Sequence, residues 1–81
     1  MSIAVSIYTI EKKLFEEDVE SVQLPGVDGE LGVLPLHVPL VTVLKNGVLK
    51  IRRGSTVQEI PIRGGFVEVA PGSRVVVLAD Q

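Results

Sequence analysis

Eighty-one residues without a cysteine amount to one small domain, held by apolar burial and not by disulfides. A chain this short buries roughly 60 to 65% of its unfolded surface, which leaves little interior for a deep substrate pocket and weighs against an independent enzyme. Eight basic and ten acidic residues leave a net charge of −2, too weak an imbalance to draw the chain to phosphate backbones or anionic lipid.

Fifteen Val and six Ile outnumber nine Leu and three Ala, a β-branched balance that predicts an all-β fold. The opening MSIAVSIYTI has no basic flank, and no stretch reaches the roughly 20 apolar residues of a spanning helix. It predicts a first strand, with Ile3, Val5, Ile7 and Thr9 on one side of a two-residue period and Ala4, Ser6 and Tyr8 on the other. After the charged residues 11–13, the segment 14–24 alternates but slips between Val19 and Val22, which predicts a bulge or a strong twist.

Residues 26–40, GVDGELGVLPLHVPL, form a stiff run in which three glycines allow tight turns and two prolines fix the flanks. Next, VTVLKNGVLKI carries Asn46-Gly47, a pair suited to a type I′ hairpin turn. That turn sets Leu44 opposite Leu49 and Thr42 opposite Ile51 toward the core, with Val43 opposite Lys50 and Val41 opposite Arg52 on the other face. Gly54-Ser55-Thr56 leads into 57–62, where Pro61 confines the strand to an edge or a bulge. Gly64-Gly65 marks a sharp change of direction, and FVEVAPGSRVVVLA predicts a last hairpin about a type II turn at Pro71-Gly72. About seven to nine short strands and no helical period fit one antiparallel sandwich or barrel.

Chemistry finds little support. His37 is the single histidine, and a zinc site would need Asp28 and Glu30 to converge on it from a short loop, so it reads as a histidine packed between Pro35 and Pro39. Asp28, Glu30 and Glu68 read as solvated carboxylates, and the glycine spacing of GVDGELG does not match a phosphate-binding loop. Lys45, beside Asn46-Gly47, raises one rival from another class, a lipoyl- or biotinyl-type carrier domain modified on a turn lysine, although the Asp-Lys-Ala or Met-Lys-Met context of such domains is missing. A sugar-binding sandwich ranks below it, because the chain has two Phe, one Tyr and no Trp for stacking.

Taken in order, LPGVDGELGVLPLHVPLVTVLKNGVLKI and GGFVEVAPGSRVVVLAD resemble the N-terminal β-sandwich of the F-type ATP synthase epsilon subunit, the equivalent of the mitochondrial delta subunit. Gly-Glu-Leu-Gly, Pro-x-His-x-Pro-Leu and Gly-Gly-Phe carry the resemblance, which spans residues 1–81 as one domain. It implies a ten-stranded flattened barrel or sandwich that links the gamma subunit to the c-ring in the rotating central stalk. It implies a non-catalytic role in coupling proton translocation to ATP synthesis, with no cofactor, metal or catalytic residue.

The same resemblance assigns Gly29, Glu30, Leu31 and Gly32 to the c-ring side, and Thr9, His37 and Thr42 to the gamma side. It places the chain peripherally on the cytoplasmic face of a bacterial inner membrane, or its organelle equivalent, through protein contacts and without nucleic acid. The helical hairpin that follows the sandwich in similar proteins has no counterpart in these residues, so its inhibition of ATP hydrolysis and its nucleotide binding are not expected of them.

Overall fold

The computed structural model describes residues 1–81 and contains strands and turns but no helix. The elements are β1 (Ile3–Tyr8), β2 (Lys13–Val19), β3 (Ser21–Gly26), β4 (Gly29–Val33), β5 (Leu40–Leu44), β6 (Gly47–Arg53), β7 (Thr56–Ile62), β8 (Gly64–Ala70) and β9 (Arg74–Asp80). They hydrogen-bond in the order β2-β1-β9-β8-β5-β3-β6-β7, with β4 on the other edge of β3. There are thus nine strands rather than the ten implied by the resemblance, and the sheet is mixed, because β1 and β9 pair in parallel.

The sheet curls so that alternate residues of both halves meet inside. Ile3, Val5, Ile7, Val67, Val69, Val75 and Val77 come from one half, and Val22, Leu24, Val33, Leu49 and Ile51 from the other, all buried in a single cluster. No polar or charged side chain is buried with them. The slip between Val19 and Val22 is a corner: β2 pairs with β1, Glu20 breaks the strand, and β3 continues in the other half against β4 and β6. The Glu20 amide donates to the Arg52 carbonyl (2.9 Å), so the corner is satisfied without the ladder.

Asn46-Gly47 is not a hairpin turn. β5 pairs with β8, β6 pairs with β3 and β7, and neither Asn46 nor Gly47 has positive φ. β5 and β6 lie end to end along one edge of β3, both antiparallel to it, and are joined by a kink. From Gly26↔Leu44 to Gln23↔Lys50, β3 advances three residues while the facing chain advances six. The Lys45 amide donates to the Pro25 carbonyl at 2.8 Å, and a Cβ on Gly47 would lie 2.8 Å from the Pro25 Cβ. Here glycine serves a close approach and not a left-handed backbone.

The other turn signals act as read. β7, with Pro61, is the last strand of the sheet order. The β8–β9 hairpin closes with Ala70 opposite Arg74, and Gly72 at φ 83° supplies the positive angle that a type II turn requires. Ser73 follows at φ 56° and makes the loop three residues long. Gly65, at φ 140°, lies so close to the Leu78 carbonyl that a Cβ would overlap it.

Arg53 joins the two halves where the pairing order ends. Its guanidinium pairs with the carboxylate of Glu17 on β2, donates to Gln58 Oε1 on β7 (2.7 Å), and stands 5.6 Å from the ring centre of Phe15. Nearby, the Gly54 amide donates to Glu20 Oε2 at 3.1 Å. These contacts cover part of the exposed edge of β2, which would otherwise invite pairing with another chain.

Candidate partner interface

The run 26–40 holds β4 at its centre, between the 27–28 turn and the irregular segment 34–39. Val27-Asp28 turn β3 back on β4, with Gly26 opposite Gly29 and Leu24 opposite Leu31. Gly29 has φ 131°, where any side chain is strained, and a Cβ on Gly26 would stand 2.6 Å from the Gly29 carbonyl. The hairpin end is fixed by backbone geometry. Glu30 beside it is exposed, and its carboxylate meets the Gln23 side-chain amide at 3.4 Å and no cation. Leu31 packs against the core, whereas Gly32 faces outward beside Gln23, Lys50 and Arg52.

Thr42 shares a shallow hollow with Asp28, Gly29, Glu30, Leu31 and Leu40, between β4 and β5. It stands opposite Val67 and so points toward the interior. Thr9 organises the β1–β2 turn: its hydroxyl accepts from the amides of Glu11 and Lys12, both at 3.2 Å. Thr9 lies beside Ala79 and Asp80 at the end of β9, while the His37 segment is fastened to Ser73, just before β9 begins. The structure therefore sets these two at opposite ends of the β1–β9 pair.

His37 is half-buried. Its amide donates to the Leu34 carbonyl (3.2 Å), and its Nδ1–H donates to the Val38 carbonyl (2.7 Å). Those bonds fix the ring against its own turn. No group of three His, Cys, Asp or Glu side chains is arranged to hold a metal ion. Lys45 sits at the β5–β6 kink rather than on a hairpin tip, so the carrier-domain reading loses the geometry it needed.

One surface escaped the sequence reading. On the outer face of β5, β8, β9 and β1 the register aligns Val43, Phe66, Leu78 and Tyr8 in a row across four strands. Their exposures are 44, 54, 47 and 36%. The neighbouring row adds Val41 and Val76 on either side of Glu68. A continuous apolar band of this kind on a small domain marks a surface that another molecule covers. The signal lay in VTVL and RVVVLA, where consecutive apolar residues load both faces of a strand. Pairing Val43 with Lys50 concealed it.

The Delta/Epsilon chain beta-sandwich domain of ATP synthase matches residues 2–81. The ATP synthase epsilon chain of Desulforamulus reducens is 50% identical over 76 residues, covering 94% of this chain and 57% of that protein. The epsilon chain of Halalkalibacterium halodurans is 43% identical over 79 residues, 98% of this chain and 59% of that one. A chain of the Euglena gracilis mitochondrial ATP synthase, solved by cryo-EM as an OSCP/F1/c-ring assembly, superposes with a TM-score of 0.92 at 26% identity, over 99% of this chain and 51% of its own. The present chain thus spans less than three-fifths of the length of these relatives.

Proposed function

The chain belongs to the delta/epsilon family of ATP synthase, and from that membership we propose that its sandwich is a connector of the central stalk, binding the gamma subunit and the c-ring. The observation that carries this reading is the exposed apolar row Val43, Phe66, Leu78 and Tyr8, which supplies the desolvated centre a lasting protein contact needs. This row is the gamma face. Thr9 directly follows Tyr8 and adjoins the row, and the His37 segment leads into β5, whereas Thr42, between Val41 and Val43, turns its side chain to the inner side of that strand.

The β3–β4 hairpin serves the c-ring. Gly29, Glu30, Leu31 and Gly32 form a strand fixed at its turn, and the carboxylate of Glu30 has no cation partner of its own, which suits it to basic groups on a c-ring loop. A close-packed core with no buried polar group transmits strain, as torque transfer from c-ring to gamma requires. The sandwich performs no chemistry on ATP. It couples proton translocation to synthesis mechanically, as a peripheral component on the cytoplasmic side of a bacterial membrane, and the inhibitory and nucleotide-binding roles of the helical hairpin are assigned to none of its residues.

Reconstitution tests this. Added to a synthase lacking its epsilon chain, the chain is expected to restore proton-coupled synthesis without suppressing ATP hydrolysis. Failure to bind gamma in a pull-down, or strong inhibition of hydrolysis, would overturn the proposal.

A further inference from the structure

Leu36 and Ser73 are the two non-glycine residues of the chain with positive φ, 67° and 56°. Leu36 holds the third position of a turn closed by the His37 amide on the Leu34 carbonyl, with Pro35 before it. Turns with proline second and a positive angle third favour Gly or Asn there, and a leucine is disfavoured by its Cβ. The two strained residues are bonded to each other: the Leu36 amide donates to Ser73 Oγ at 2.9 Å, across 37 positions. The Ser73 carbonyl in turn accepts from the Ala4 amide at 2.9 Å. Ser73 therefore fastens the 34–39 segment to the β8–β9 turn and to the head of β1.

What it holds is apolar and turned to solvent. Leu36 and Val38 are 72 and 73% exposed, and no charged side chain occurs from 31 to 44. The isolated fold gains nothing from a strained leucine in water, and backbone strain of this sort collects where a surface is set for a ligand. We propose that Ser73 is a positioning residue that locks Leu36 in the left-handed conformation, so that Leu36 and Val38 stand as a preset apolar tip for an apolar surface of the gamma subunit. The occupant follows from continuity, because the segment passes through Leu40 directly into Val41 and Val43 of the exposed sheet face. Fixing the tip in advance removes the ordering cost of docking. This rests on the gamma contact proposed above.

The test measures gamma-subunit affinity and amide exchange of residues 36–38 for wild type, Ser73→Gly, Ser73→Asn and Leu36→Asn. Glycine adopts the backbone of position 73 freely but removes the acceptor, so Ser73→Gly is expected to speed exchange of the Leu36 amide and weaken gamma binding about three- to tenfold. Asparagine keeps an acceptor and tolerates a left-handed backbone, so Ser73→Asn is expected to restore both. Leu36→Asn relieves the strain yet deletes the apolar tip, and is expected to weaken gamma binding by about tenfold. Unchanged affinity in Ser73→Gly and Leu36→Asn, with wild type binding normally, would overturn the role of the tip. Loss of binding to the c-ring or to anionic vesicles, with gamma affinity intact, would overturn the assigned occupant. Wild type that fails to bind gamma would instead overturn the reading of the sheet face on which this rests.

Discussion

Arg53 and Glu17, 36 positions apart, pair across the place where the sheet order runs out, and Arg53 also reaches Gln58 and the Phe15 ring. Both side chains are partly solvated, so the ion pair alone contributes about 0–1 kcal/mol. The ring contact and the second hydrogen bond each add about 0.5–1 kcal/mol. Arg53→Ala is expected to cost about 1–2 kcal/mol by urea unfolding, and Glu17→Gln less than about 1 kcal/mol with a salt-dependent part. Equal losses in both variants would mean that the ion pair, and not the whole Arg53 node, ties the two halves.

The kink between β5 and β6 separates the roles of Asn46 and Gly47. With neither residue at positive φ, Asn46→Ala is expected to change stability by no more than about 0.5 kcal/mol. Gly47→Ala forces a Cβ against Pro25 and should cost about 1–3 kcal/mol. Gly65→Ala should cost more still, since its Cβ would meet the backbone carbonyl of Leu78 at a strained φ. Thermal unfolding of the three variants ranks them. A severe Asn46→Ala would restore the type I′ hairpin.

At the sheet face, Phe66→Asp puts a charge at the centre of the apolar row while touching no core residue. Its unfolding midpoint should stay close to wild type. Its affinity for gamma should fall by more than about 30-fold, the loss of at least about 2 kcal/mol typical of a central anchor. Scanning calorimetry reads the midpoint and calorimetric titration with gamma the affinity, both on one preparation, and undiminished binding would remove the face from the contact.

Glu30→Ala tests the other contact. A rim charge acts through the field it presents, so c-ring retention should drop a few-fold at low ionic strength and match wild type near 1 M salt. Gly29→Val should be worse at every salt concentration, because φ 131° strains any side chain although there is open space for one. A Glu30→Ala chain retained like wild type at low salt would place the hairpin outside the interface.

Signals that depend on neighbours in sequence could be read directly. Alternation identified β1, Pro61 identified an edge, and Pro71-Gly72 identified the final hairpin. Asn46-Gly47 misled because its outcome is non-local: β3 offers one edge to both β5 and β6, which occupy it end to end instead of folding on each other. The parallel pairing of β1 with β9 is likewise set by which edges remain free, and no local feature of either segment encodes it. Of the assigned contact residues, Glu30 sits exposed beside a turn as its sequence context indicated. The apolar row was legible only as an excess of valine, because a row across four strands exists once register is known.

The parallel partnership also has a consequence in time. β9 is the final strand to be made, yet it lies between β1 and β8 near the middle of the order, and four strands from one half hang together only after it arrives. During synthesis the β1–β2 hairpin, complete at Val19, must wait unpartnered until the chain reaches β9 at Arg74–Asp80, the situation in which folding is slow and exposed edges meet other chains. Nascent copies translated from one message would then be most prone to mispair before Arg74 emerges, and a chaperone that shields a two-stranded edge should matter more for this domain than its small size implies.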